Sequence, residues 1–299
     1  MLLIGYPDIL PSEAKMKNRL SRILAGLTLF FSFFVGSAGG VEPNIQPTRY
    51  NVLVNIWDGT EWYILQEIYL QGLLPNLALV GAPKQLTDAV PCWGASCMWS
   101  VTKPQHAVML TGKLADEHGV YSNWEYQLIP DGMTLYEVLE SAVAGIKTAH
   151  ISSKDDNFGL PTFGNIVGDV DIFYAGPKDP SPIAKVCAGL LREWQEDRFF
   201  AVCHFREPDH TGHAYGVYSP EYENAILQND IYLGQLLQAV PPDTYIYVVS
   251  DHGFGGIGPD NNHVFSPNAF LVTNDPEMSG WGYRMDELFE FWKLKFLRK

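Results

Sequence analysis

Three apolar, β-rich runs in this 299-residue chain each hand over directly to acidic residues and histidines. "YNVLVNIW" (Tyr50 to Trp57) leads into Asp58. "RFFAVCHF" leads into "REPDHTGH", which holds Asp209 and His213. "TYIYVVS" leads into Asp251 and His252, and His263 follows eleven positions later in "PDNNHVF". Carboxylate oxygens and neutral imidazole nitrogens suit zinc, manganese and similar divalent ions. Three Asp, three His and a hydroxyl are enough for two such sites. The hydroxyl comes from "TKPQHAVMLTG", where Thr102 is either part of an ordinary helix start or a nucleophile held there.

Each of these elements is ambiguous alone. Asp-Gly after a strand is usually a turn, and a His after Asp is slightly more often structural than a ligand. His106, His118, His150 and His204 read as core or cap residues, and His210 as solvent-facing. Asp209 and His213 lie four apart, a spacing that shares a helix face, but Pro208 and Gly212 disfavour a helix. A loop after the strand is the expectation there.

The elements that must position these residues follow from apolar spacing. "EWYILQEIYLQGLL", "TLYEVLESAVAGI", "SPIAKVCAGLLREWQE", "SPEYENAILQNDIYLGQLLQAV" and "MDELFEFWKLKFL" have helical periodicity, with Thr134 as an N-cap. "KTAHISS", "VDIFYAG" and "NAFLV" read as further strands. Strands alternating with helices imply an α/β fold with a mostly parallel central sheet and helices on both faces. In such sheets ligands bind outside the carboxyl ends of the strands. The Asp and His residues fall at that edge.

The ordered set of motifs resembles the alkaline phosphatase superfamily, in its type I phosphodiesterase/nucleotide pyrophosphatase-like branch. The stretches that carry the resemblance are "VLVNIWDGT", "LPNLALV", "TKPQHAVMLTGKLADEHGVYSN", "TLYEVLESAVAGIKTAHISSK", "EPDHTGHAYG" and "VVSDHGFGG", spanning Tyr50 to Val264. The resemblance implies an alkaline phosphatase-like sandwich and two divalent metal ions, zinc first and manganese as the alternative. It implies that Asp58, Thr102, Asp251 and His252 hold one ion, and Asp209, His213 and His263 the other. It further implies that Thr102 is the nucleophile and that Asn123 hydrogen-bonds phosphoryl oxygens. Coordination to a cation favours the alkoxide of threonine. Pro104 suits a first helical turn, where exposed N–H groups and the dipole favour an anion.

The chain departs from the branch in three places. The gap from His252 to His263 is short, as in the phosphoethanolamine transferase relatives. Val264 stands where Gly usually follows the last histidine. Lys103 follows Thr102, where nucleotide-cleaving members carry an aromatic. Lys103 and Lys154 are therefore candidate substrate contacts. Sulfatases of this fold use Cys or Ser in C/S-x-P-x-R, but here Thr102 and His106 fill those two places.

Net charge is −14, and no basic stripe is available to neutralise a nucleic-acid duplex. A small anionic phosphate ester is the expected partner. Residues 1–40 read as a signal peptide, with basic "KMKNRLSR", apolar "ILAGLTLFFSFFVG" and small "SAGG", and Met16 offers an alternative start. The apolar stretch is short for a membrane span, so none is expected after cleavage. An uncleaved N-terminal anchor is the alternative. Residues 41–299 are expected to form one catalytic domain, secreted or periplasmic. Cys92 and Cys97 could close a small loop in an oxidising compartment, and Cys187 and Cys203 could pair or stay as buried thiols.

The function these readings support is metal-dependent hydrolysis of phosphodiesters or pyrophosphates. The alternatives are a phosphomonoesterase, a phosphonate hydrolase or a phosphoethanolamine-type transferase. A non-catalytic metal-binding module of the same fold is the competing class. A decayed enzyme would be expected to have lost at least one metal-ligand position, and here all are filled.

Overall fold

A computed structural model describes residues 50–87, 100–123, 128–154, 169–176, 178–254, 263, 266, 268–278 and 283–297. The proposed leader, Cys92 and Cys97 lie outside these residues. In chain order the elements are β1 (Asn51–Trp57), α1 (Trp62–Leu70), α2 (Pro75–Val80), β2 (Lys84–Thr87), α3 (Thr102–Thr111), α4 (Ala115–His118), α5 (Leu135–Ala142), β3 (Lys147–Ser152), β4 (Ile172–Ala175), α6 (Pro180–Glu193), β5 (Phe199–Phe205), α7 (Asp209–Tyr215), α8 (Pro220–Leu237), β6 (Thr244–Val249), β7 (Asn268–Thr273), β8 (Tyr283–Arg284) and α9 (Leu288–Leu297).

The strands form one sheet in the order β4-β3-β5-β1-β6-β7-β2-β8. From β4 to β6 all pairings are parallel. β7 runs antiparallel to both β6 and β2. All seven residues of β1, and all seven of β5, are buried. That is what continuous apolar runs do in a sheet covered on both sides. Within β1 the faces alternate. Val52, Val54 and Ile56 join a core with α3, α5 and α9, while Leu53 and Trp57 join one with α1, α2, α6 and α8. Asn55 is the polar exception. Its Nδ2 donates to Cys203 O at 2.9 Å, and its Oδ1 accepts from Trp57 Nε1 at 2.8 Å.

Local chemistry fixes the helix starts. Thr134 caps α5 in a reciprocal capping box with Glu137. Asp179 and Ser219 cap α6 and α8, each followed by Pro at the first helical position. Cys187 on α6 and Cys203 on β5 form a disulfide, stapling that helix to the sheet. Two expectations change. Strand β2, which lies between β7 and β8, was not foreseen, because "KQLT" carries a single buried side chain. The segment expected to be a loop after β5 is the helix α7. Pro208 precedes its first residue, where no N–H is needed, and Gly212 lets it pack closely. A Cβ on Gly212 would meet the Phe254 ring at 2.8 Å. Among the described residues, no helix is long and apolar enough to cross a membrane.

Candidate active site

Because β3, β5, β1 and β6 are parallel, their carboxyl ends share one edge of the sheet. That edge carries Lys154 after β3, Asp209 after β5, Asp58 after β1, and Asp251 with His252 after β6. The loops are fastened to one another. Asp58 N donates to Phe205 O at 3.0 Å, and Asp209 N to Asp58 O at 2.9 Å. Gly59 has φ of 65° and would place a Cβ 2.8 Å from Asp209 Cβ, so only glycine lets the two acidic loops approach this closely. The Tyr222 hydroxyl donates to Gly59 O at 2.7 Å and accepts from Glu61 N at 2.8 Å. Glu61 Oε2 accepts from Phe254 N at 2.8 Å, which ties the β1 loop to the β6 loop.

Asp58, Thr102, Asp251 and His252 are fully buried, and Asp209 and His263 nearly so. His213 is the open member, its side chain 46% exposed. Asp209 Oδ1 lies 3.5 Å from His213 Nε2 and 3.3 Å from His263 Nε2. His252 Nε2 lies 3.4 Å from Asp58 Oδ1 and 3.7 Å from Asp251 Oδ2. A backbone carbonyl can only accept, so partners fix two tautomers. His263 Nδ1 donates to Ser100 O at 2.6 Å, and His252 Nδ1 to Gly253 O at 3.0 Å. Each ring thereby turns Nε2 into the cluster, where it can take a cation.

The cluster is short of donors. Asp58 Oδ1, Asp209 Oδ1, Asp251 Oδ2 and His252 Nε2 are buried without a hydrogen-bond partner among the described residues. Buried polar atoms are rarely left this way, and several together mark a place for a cation. Three groups have ligand atoms within 4.8 Å of one another: Asp209 with His213 and His263, Asp58 with Asp209 and His252, and His106 with His204 and Asp251. The first reproduces one expected metal set. The second regroups members of the expected pair of sets. The third contains two histidines that sequence reasoning assigned to the core.

Those two histidines support the site. His204 Nε2 donates to Asp58 Oδ2 at 2.9 Å, and its Nδ1 pairs with Ser152 Oγ at 2.8 Å. His106 Nε2 approaches Asp251 Oδ2 at 3.5 Å. A polar residue next to last in an otherwise apolar strand was the available signal for His204. His150, paired with Tyr136, and His118, accepting from Val120 N, are core and cap residues as expected, and His210 is exposed.

Thr102 is the first residue of α3, with Val101 as N-cap. Asn123 Oδ1 accepts the Lys103 N–H at 2.8 Å. Pro104 has no N–H, and that of Gln105 bonds Val101 O. The helix start thus offers an anion fewer free N–H groups than the sequence suggested. Lys103 is buried within the first turn.

Lys154 lies deeper than a rim contact. Its Nζ donates to Asp58 Oδ2 at 2.7 Å, to Asp209 Oδ2 at 2.9 Å and to Thr102 Oγ1 at 2.9 Å. Burial alone would depress the lysine, but Asp209, Asp58 and Asp251 outweigh it and hold the ammonium above its ordinary value. Burial likewise pushes Asp58 and Asp209 up, yet Lys154 above all keeps both carboxyls below the usual range.

Residues 177–293 match the family model for type I phosphodiesterase / nucleotide pyrophosphatase. The human ectonucleotide pyrophosphatase/phosphodiesterase family member 7 is 22% identical over 289 residues, covering 89% of this chain and 56% of that protein. The murine ectonucleotide pyrophosphatase / phosphodiesterase 5, solved as an inactive variant with AMP, superposes with a TM-score of 0.52 at 18% identity. It covers 68% of this chain and 57% of its own. Over its C-terminal part the chain is similar to the type I phosphodiesterase / nucleotide pyrophosphatase family. A 2-O GAG sulfatase shares the fold, with a TM-score of 0.55 at 11% identity over 79% of this chain and 68% of that one. The chain spans a little over half the length of the two pyrophosphatase relatives. Against that family pattern, the Asp209, His213 and His263 half of the cluster fits a divalent ion. The Asp58 and Thr102 half already holds an ammonium.

Proposed function

We propose that the chain is a metal-dependent hydrolase of phosphate esters, acting on diesters or pyrophosphates with Thr102 as nucleophile. The observation that carries this is the Thr102 hydroxyl. It is fully buried at a sheet edge shared by three carboxylates, and it is fixed by a hydrogen bond from Lys154. Asp209, His213 and His263 would hold a divalent ion, with Asp58, Asp251 and His252 bordering it. Such an ion supplies Lewis-acid stabilisation of charge on phosphoryl and leaving oxygens.

The chain's own groups do the rest. Thr102 Oγ attacks phosphorus, the P–O bond to the leaving alcohol or phosphate breaks, and water later releases the phosphoryl group from Thr102. Lys154 stabilises negative charge developing on Thr102 Oγ, because its N–H is already aimed there. His204 holds Asp58 in place through Nε2. Asn123, oriented by the Lys103 N–H, is the nearby amide for phosphoryl oxygens. AMP bound to the murine relative supports a small phosphate-ester partner. Lys103, buried next to Thr102 in the first helical turn, also favours a second reading, a monoester substrate with an extra charge.

Secretion or a periplasmic location is part of the same proposal, with residues 1–40 as leader and 41–299 as one domain. The Cys187–Cys203 disulfide supports an oxidising compartment.

The test uses zinc- or manganese-loaded protein with bis-p-nitrophenyl phosphate, p-nitrophenyl phosphate and p-nitrophenyl sulfate. The expected result is diester turnover above monoester and sulfate, lost in Thr102→Ala. Diester turnover unchanged in that variant removes Thr102 as nucleophile. No turnover on any of the three points to the binding module.

A further inference from the structure

Lys154 has three N–H donors, and all three are used: one on a carboxylate of each half of the cluster and one on Thr102. The side chain is 9% exposed, so this is a buried cation rather than a surface lysine folded inward. Its backbone is fixed as well. Lys154 N donates to Ser152 Oγ at 3.0 Å, Ser152 Oγ pairs with His204 Nδ1, and His204 Nε2 donates to Asp58 Oδ2. Asp58 Oδ2 then accepts from Lys154 Nζ, which closes a ring of four hydrogen bonds. A side chain held at both ends this way does not swing aside freely.

Two of the oxygens that an inner metal ion would need are therefore already engaged. Asp58 Oδ2 carries two donors, and Thr102 Oγ1 carries the third N–H of the lysine. Charge leads to the same conclusion. Asp58, Asp209 and Asp251 bring three negative charges into a buried volume. One ammonium leaves two, so no more than one divalent ion is needed to offset them. Two divalent ions beside the lysine would leave two positive charges in excess, at a high cost in low dielectric. On the other side, clear of the lysine N–H groups on Asp58 and Thr102, Asp209 Oδ1 faces His213 Nε2 and His263 Nε2, which lie 3.0 Å from each other.

We propose that the Lys154 ammonium is the built-in cation of the inner half of the cluster, so that the chain takes a single divalent ion, on Asp209, His213 and His263. This rests on the hydrolase reading of the same site but differs from the two-ion centre that the family resemblance implies. Lys154 then takes over, at Thr102, the charge that a second ion would supply.

Zinc content of the purified full chain after dialysis, measured by mass spectrometry, decides this. The expected result is about one zinc per wild-type chain, about two in Lys154→Met, and about one in Asp58→Asn. The Asp58→Asn arm does not depend on whether the lysine variant folds. Two zinc ions in the wild type, one in both wild type and Lys154→Met, or loss of the ion in Asp58→Asn overturns the proposal. Two ions with diester turnover intact overturns this stoichiometry alone and leaves the hydrolase reading standing. No zinc in any of the three proteins removes the metal centre altogether.

Discussion

Asp58 and Asp209 are joined by one backbone hydrogen bond, yet their carboxylates live differently. Asp58 is fully enclosed and its Oδ2 receives both His204 and Lys154. Asp209 shares the lysine through Oδ2, but its Oδ1 meets only histidine Nε2 atoms, one of them on a ring that reaches solvent. In the inner half the chain itself supplies a cation to Asp58. The outer half is left open on the side from which an ion arrives. Burial explains the contrast. A carboxylate sealed in low dielectric needs a permanent partner to fold at all, whereas one near the surface can wait for a ligand.

Four measurements break or sharpen this contrast. His263→Ala should have the largest effect, lowering zinc affinity on the order of a hundredfold or more, because a buried ligand of the outer half is lost. Calorimetric titration checks it, and unchanged affinity places the ion elsewhere. Asp58→Asn should destabilise the metal-free protein by about 3–5 kcal/mol, since it breaks a buried ion pair and leaves Lys154 half-compensated. His213→Ala should cost about 0.5 kcal/mol or less, as its ring is half exposed. Urea melts of the two variants compare inner and outer halves directly, and equal losses erase the distinction. His204→Ala should lower kcat about 10–100-fold with little change in KM, since it positions Asp58 rather than touching substrate. A change confined to KM argues against that role.

The smallest effect is in pH. Burial, and then neighbouring His252, pull His263 down to about 3. It therefore carries no proton to expel between pH 7 and pH 9. Burial opposes charge on His252 too, but Asp251 and Asp58 hold it up to about 9. An ion that uses its Nε2 must displace that proton, so its affinity should rise about tenfold per pH unit up to that value. An ion in the outer half should bind almost independently of pH over the same window. Titrations at pH 7, 8 and 9 separate the two, and a tenfold slope assigns the ion to His252.

Much of this was legible in the sequence for a physical reason. Asp58, Asp209 and Asp251 each follow a largely apolar run, and parallel strands bring such ends to one edge. The Thr134 cap and Pro at the starts of α6 and α8 were readable because they act within one turn. The rest depended on distance. His204 contacts Asp58 from 146 positions away, and its place next to last in β5 was the one local sign of that role. The depth of Lys154 is set by β3 pairing with β5, which its own neighbours do not encode. Helix α7 was hidden by Pro208 and Gly212, two residues that usually break helices but here start one and let it pack.

The Tyr222 hydroxyl, one oxygen on α8, both donates to and accepts from the β1 loop. Phenylalanine fills the same volume but supplies neither bond, so this position discriminates between two side chains of nearly equal size. Its effect on turnover would be relayed through the placement of Asp58 and felt alike by every substrate. Variation at residue 222 would thus alter how well the proposed hydrolase works without altering what it works on.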